Sequence, residues 1–255
     1  MRLIALVPAT LFLAGCVEDL KVVRVKADGS GTILYTRRMK DWVVETLREN
    51  KLGDEFTEEK ARERAATLGA VEFVSVEKAD VPGWTGMTAT YSFKDVRKLT
   101  LNDTDTTFGL EKAADGRSVL TVHSRFKSVQ PSKAPESKMP EEVARALLAG
   151  LKFRLDVDID GTVVKCSSPY VAGSTLTVME FDLDQLFAEE ARLKKKAAEE
   201  PATLAEAKET IEALRLLEAL KGGAQNLEEA GKALQKIKGF KHALSPTVTL
   251  EFTPK

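Results

Sequence analysis

The sequence predicts an α+β fold: a largely antiparallel, hairpin-built sheet packed against helices, with a helical insertion near the C-terminus. Three observations carry that prediction. Asp-Gly pairs recur at 28–29, 115–116 and 160–161, each flanked by runs in which apolar and polar residues alternate. Alternation is the period of a half-buried strand, and Asp-Gly supplies the positive φ of a tight hairpin turn. Between these hairpins lie segments whose apolar residues step by three and four, the period of a helix packed on one side. From about 184 to 238 the composition becomes rich in Ala, Leu, Glu and Lys, and a strand-like run follows it.

The chain opens with a basic Met1-Arg2, then about a dozen apolar residues from Leu3 to Ala14. That run suits a secretory signal and falls short of the ~20 residues that span a bilayer. Leu13-Ala14-Gly15-Cys16 closes it. A branched residue, two small residues and a Cys at this depth resemble the lipobox of bacterial lipoproteins. The resemblance implies cleavage before Cys16, a diacylglycerol thioether on its sulfur and acylation of the new amino terminus. Each buried methylene contributes about 0.8 kcal/mol, so two or more chains hold firmly where one does not. Val17 follows the Cys. Lipoproteins retained at the inner membrane of many diderm bacteria carry Asp there, so the resemblance points to the outer membrane, facing the periplasm.

Residues 17–36 read as a hairpin, with Val23, Val25 and Ala27 leading into Asp28-Gly29-Ser30-Gly31, and Ile33 and Tyr35 leading out. A helix is expected at about 39–50, with Met39, Trp42, Val43, Thr46 and Leu47 on its inner face. Gly53-Asp54 breaks it. A second helix, about 57–68, opens with Thr57-Glu58-Glu59, whose acids suit the positive end of the dipole, and stops at Gly69. Val71–Val76 is a strand, 82–86 a wide turn, and Met87, Ala89, Tyr91 and Phe93 alternate as the next strand. Asp95 caps a short helical turn through Leu99. The second Asp-Gly hairpin runs from Phe108 and Leu110, through Asp115-Gly116, to Leu120, Val122 and Phe126.

Residues 127–140 hold three prolines and three serines, too little apolar surface for a core. They read as a loop or linker between an N-terminal α+β part, 16–126, and a C-terminal part, 141–255. Glu141–Leu148 is a short helix. Phe153, Leu155, Val157 and Ile159 alternate with Arg154, Asp156, Asp158 and Asp160, giving a strand with one apolar and one charged face. Asp160-Gly161 is expected to turn a third hairpin into Val163-Val164-Lys165-Cys166. Gly173 permits a turn, and Leu176–Phe181 is a further strand. In the helical region Pro201 is a break, Thr203–Glu206 matches a capping box, and Gly222-Gly223 ends one helix. The expected product is a helical hairpin, 184–238, inserted before a final strand at 246–252.

After removal of residues 1–15 the net charge is close to −2. With no basic field and few aromatics, nucleic acid is excluded as an expected partner. Cys166 then has no intrachain partner, and a buried, inert thiol is expected. Asp156-Val157-Asp158-Ile159-Asp160-Gly161 matches the first half of an EF-hand calcium loop. Ser167 stands where the bidentate Glu belongs, and no helix leads in, so the aspartates read as the solvent face of a strand. His123 and His242 have no ligand spacing and read as surface or edge residues. Arg192–Lys196 is a basic run between acids, read as a solvated helix face. Trp42, Trp84, Phe73, Tyr91 and Phe93 read as core, with a pocket for an apolar ligand as the alternative. No nucleophile elbow, Walker loop, dinucleotide fingerprint or His-Glu-x-x-His occurs. No catalytic, cofactor or metal residue is expected, and the chain is not expected to be an enzyme.

The hairpins at Val22–Gly31 and Phe153–Thr177 resemble those of the LppM-like bacterial lipoproteins, which begin with a strand, an Asp-Gly turn and a strand behind the lipidated Cys. The resemblance implies an α+β fold, an envelope location and lipid binding. It carries over no functional residue beyond Cys16, and the helical stretch at 184–238 departs from it. The expected function is that of a membrane-anchored envelope lipoprotein, tethered at Cys16, whose body is a non-enzymatic binding or structural module. The alternative is a carrier or sensor of an apolar ligand such as a lipid. The expected partners are the membrane, through Cys16, and an envelope protein or a lipid.

Overall fold

The computed structural model describes residues 17–49, 56–102, 104–113, 115–124, 151–198, 240–242 and 247–254. The signal and lipobox expected at 1–16, the Pro/Ser-rich stretch at 127–140, the helix expected at 141–148 and the part of the expected helical hairpin from 199 to 238 lie outside the described residues. Among the described residues thirteen strands form two sheets, with three α-helices and one 3-10 turn. The class is broadly α+β, but richer in sheet than one sheet backed by helices.

The first sheet is built on β1 (Val17–Val25) and β2 (Gly31–Lys40), the expected first hairpin. Its turn is closed by the Ser30 amide, which donates to the Asp28 carboxylate at 2.9 Å. Next come α1 (Asp41–Glu49), α2 (Glu58–Ala65), β3 (Glu72–Lys78) and β4 (Trp84–Phe93). β4 pairs with both β2 and β3. Asp95 caps the 3-10 turn Val96–Lys98 as expected, accepting from the Arg97 amide at 3.0 Å. That turn hands the chain to the second sheet through β5 (Thr100–Leu101), β6 (Thr106–Lys112) and β7 (Ser118–Ser124).

β8 (Leu151–Ile159) returns to the first sheet and lies parallel to β1 in unbroken register from Val17↔Leu151 to Val25↔Ile159. β9 (Gly161–Cys166) does not fold back on β8. It pairs with β13 (Thr247–Pro254) in the second sheet, so the hairpin expected at Asp160-Gly161 is instead a crossing between sheets. Gly161 permits that crossing. A Cβ on Gly161 would lie 2.5 Å from the Thr253 carbonyl oxygen, so the glycine lets β9 close on β13 rather than turn under β8. β10 (Val171–Ala172), β11 (Thr175–Asp182) and β12 (Phe240–His242) complete the first sheet. Asp182 ends β11 and starts α3 (Leu183–Ala198), accepting from the Gln185 amide at 3.0 Å.

The strand orders are β10-β11-β8-β1-β2-β4-β3, with β12 beside β11, and β5-β6-β7-β13-β9. The final strand therefore returns to the second sheet, between β7 and β9. Inward residues of both sheets make one apolar cluster. Val23, Val25, Ile33, Tyr91, Val157 and Ile159 meet Phe108, Leu120, Val122, Leu250 and Phe252. A smaller cluster of Met39, Val43 and Val44, with Val17 and Leu47, sits under α1. α1 thus buries Val43 and Val44, whereas Trp42 and Thr46, expected on its inner face, are exposed. Val43 and Val44, with Leu47 one turn on, pack onto Met39 and Val17, so the buried face of α1 is turned away from Trp42 and Thr46.

Candidate functional site: a charged cluster on the inward face

Strand alternation puts Val17, Asp19, Lys21, Val23 and Val25 on one face of β1. The last three are buried. Their neighbours on that face are Met39, Arg37, Tyr35, Ile33 and Gly31 of β2, and Leu151, Phe153, Leu155, Val157 and Ile159 of β8. Moving from the Val25 end to the Val17 end, the inward face changes from aliphatic to charged. The charged part lies between the main core and the small cluster under α1.

Lys21 is only 1% exposed. Its ammonium lies 2.7 Å from Asp19 Oδ1 and 4.7 Å from the ring centres of both Tyr35 and Phe153. The Tyr35 hydroxyl donates to the other Asp19 oxygen. Arg64, from α2, donates to that hydroxyl and lies 4.4 Å over the Tyr35 ring. Burial, and then the neighbouring Asp19 charge, hold the Tyr35 phenol well above its ordinary value, against the pull of Arg64. Tyr35 is therefore a neutral donor at physiological pH. Next to it, the Tyr91 hydroxyl donates to the Ala61 carbonyl at 2.8 Å, and burial pushes its pKa up to about 12. The two tyrosines fasten α2 to the inward face, one through Arg64 and the other through backbone.

The carboxylate is taken by an ammonium and a phenol, and the phenol also accepts from a guanidinium. Sequence reasoning missed these residues, although the signal was present. Asp19 and Lys21 share the parity of Val23 and Val25, and Arg37 that of Ile33 and Tyr35, so the alternation that predicts the hairpin also points three charges inward.

The residues singled out from sequence do not converge. Cys16 lies outside the described residues. Asp156 and Asp158 are not a bare solvent face. Asp156 is 8% exposed, with Arg154 Nε at 2.9 Å and the Thr177 hydroxyl at 2.9 Å. Asp158 accepts from Ser174 at 2.8 Å and Thr175 at 3.2 Å. Pairing with β11 and the turn before it brings those hydroxyls alongside, so Asp156 is buried among partners, while Asp158 is partnered but stays about one third exposed, 32%. Among the described residues no group of three or more His, Cys, Asp and Glu could hold a metal ion.

His123 is exposed on β7, with Nδ1 2.9 Å from the Thr247 hydroxyl. His242 falls in β12, away from His123 in the strand order. Cys166 is half-buried against the main core, and its sulfur accepts from the Ser168 amide at 3.4 Å. Arg192 pairs with Glu189 on α3 at 2.6 Å, and Lys194 and Lys195 are exposed. Tyr91 and Phe93 are core, with Phe73 packed edge-on against Tyr91. Trp42 and Trp84 belong to neither apolar cluster.

No protein-family model matches the chain, and no curated protein matches it. Among solved structures, the NMR structure of the folded domain of Mycobacterium tuberculosis LppM aligns with a TM-score of 0.32 and 10% identity. The alignment covers 66% of this chain and 84% of that one. Among the described residues no helix is long and apolar enough to cross a membrane.

Proposed function

We propose that this chain is an envelope lipoprotein, anchored to the membrane by acyl chains on Cys16, whose folded body is a non-enzymatic binding or structural module. The observation that carries the proposal is the run Leu13-Ala14-Gly15-Cys16 behind about a dozen apolar residues. Two further points support it. Val17 is the first residue of β1, so a chain cut before Cys16 starts at the edge of its folded body. Buried Lys21 pairs with half-buried Asp19, and Asp19 and half-buried Arg64 both bond to the Tyr35 hydroxyl, an arrangement suited to holding α2 on the sheet rather than to turning over a substrate. Val17 in place of Asp favours the outer membrane.

The test is Cys16→Ser with fractionation and intact-mass measurement. Wild type is expected in the membrane fraction, carrying acyl mass. The variant is expected to lose that mass and to leave the membrane fraction. Unacylated wild-type protein, or a variant that partitions as before, would refute the anchor.

A further inference from the structure

An anchor on Cys16 would sit directly against the folded body. Consecutive Cα atoms lie about 3.8 Å apart, and Cys16 is bonded to the first residue of β1, so no linker separates acylated sulfur from sheet. Val17 pairs with Met39 and Leu151. One residue on, Lys40 pairs with Trp84. Acyl chains on Cys16 would therefore enter the bilayer beside the end of the first sheet that holds Val17, Met39, Lys40 and Trp84.

Among the described residues the exposed large hydrophobics are Trp42, Val74, Val81 and Val164. Trp42, 46% exposed, and Val81, 42% exposed, both sit at this end. The start of α1 and the β3–β4 loop form one rim. The Asp41 amide donates to the Gly83 carbonyl at 3.3 Å, and the Thr85 hydroxyl donates to the Asp41 carboxylate at 2.8 Å. Val81 and Trp84 bond to each other across that loop. The Lys40 ammonium lies 4.2 Å over the half-buried Trp84 ring. The chain has two tryptophans in all, and both are on this rim.

We infer that this rim (Trp42, Val81 and Trp84, with Lys40) is the surface the protein lays against the phospholipid headgroup layer. The inference rests on Cys16 being the anchor. Tryptophan rings favour the membrane–water boundary, where an apolar body and a polar N–H are both accommodated. A lysine beside them extends its ammonium to the headgroups while its stem stays with the rings. The rim's charges balance: Arg38, bonded to the Ala79 carbonyl, pairs with Glu18 at 3.5 Å, and Lys40 and Lys78 stand against Asp41 and Asp80. The contact therefore comes from aromatic and apolar burial, and does not require anionic lipid.

Because both tryptophans sit on the rim, their emission reports it without a label. Acylated full-length protein would be placed in phosphatidylcholine vesicles, plain or carrying bromine high on the acyl chain, with Trp42→Phe and Trp84→Phe resolving the two signals. Trp42 emission is expected to shift to the blue, relative to Cys16→Ser protein in buffer, and to be quenched by the brominated lipid. Mixing Cys16→Ser protein with the same vesicles is expected to lose the quenching. Protein that carries acyl mass and floats with the vesicles, yet shows neither shift nor quenching, would overturn the inference and leave the anchor intact. Wild-type protein that neither carries acyl mass nor floats would overturn both.

Discussion

Lys21 and Tyr35 show how polar groups persist at inward positions of a strand. An unpaired ammonium in that setting would be worth several kcal/mol of destabilisation. Lys21 avoids it with a carboxylate at 2.7 Å and two aromatic faces at 4.7 Å. Tyr35 is held as a neutral phenol, and this has a definite sign. Its folded pKa lies above the unfolded value near 10, so above about pH 10 the unfolded chain releases a proton that the folded protein keeps. The stabilising contribution is complete below the unfolded pKa and is lost as pH rises through the gap. Tyr91 acts in the same direction. Comparing urea unfolding of wild type and Tyr35→Phe isolates the Tyr35 share. The stability advantage of wild type is expected to shrink by up to about 1.4 kcal/mol per pH unit above pH 10. Parallel pH profiles for the two proteins would show that Tyr35 is not a buried neutral donor.

At the scale of elements, a single glycine decides whether two adjacent strands pair or part. Gly161 is the first residue of β9, and a Cβ there would lie 2.5 Å from Thr253 O and 3.0 Å from the Phe252 ring. Gly161→Ala forces backbone against side chain at the crossing. It is expected to cost about 1–3 kcal/mol, the range for overpacking, and to loosen β9 from β13. Gly109→Ala, in β6, is the control. Its Cβ would meet Thr121 at an ordinary 3.6 Å, so the change is expected to be neutral or stabilising by under about 1 kcal/mol. Chemical denaturation midpoints compare the two. Equal effects would remove the steric account of the crossing. The same Asp-Gly pair reads as a hairpin from sequence because turn chemistry reports that the chain bends, not which strand it meets next.

Across the whole molecule, neither sheet belongs to one half of the chain. β8 lies against β1 in the first sheet, and β13 lies between β7 and β9 in the second. Their inward residues form one apolar cluster. The stretch at 127–140 therefore joins two parts that share both sheets. Full-length protein is expected to unfold in one cooperative transition. A chain ending at residue 126 would leave β1 without β8 and β7 without β13, and it is expected to show no cooperative thermal transition by circular dichroism. A separately folding 17–126 fragment would overturn this view of the architecture.

Local chemistry sufficed for the longer strands, the turn at Asp28-Gly29, the Asp95 cap and the second helix, because each depends on residues a few positions apart. The alternation in β1 even carried the inward charges, although only the packed structure joins Asp19 and Lys21 to Tyr35 and Arg64. Which strands pair, that β1 and β8 run parallel, that Gly161 sends the chain to a second sheet, and that both tryptophans share a rim were decided by tertiary contacts. Those contacts link residues far apart in sequence, and alternation is the same whichever partner a strand finds.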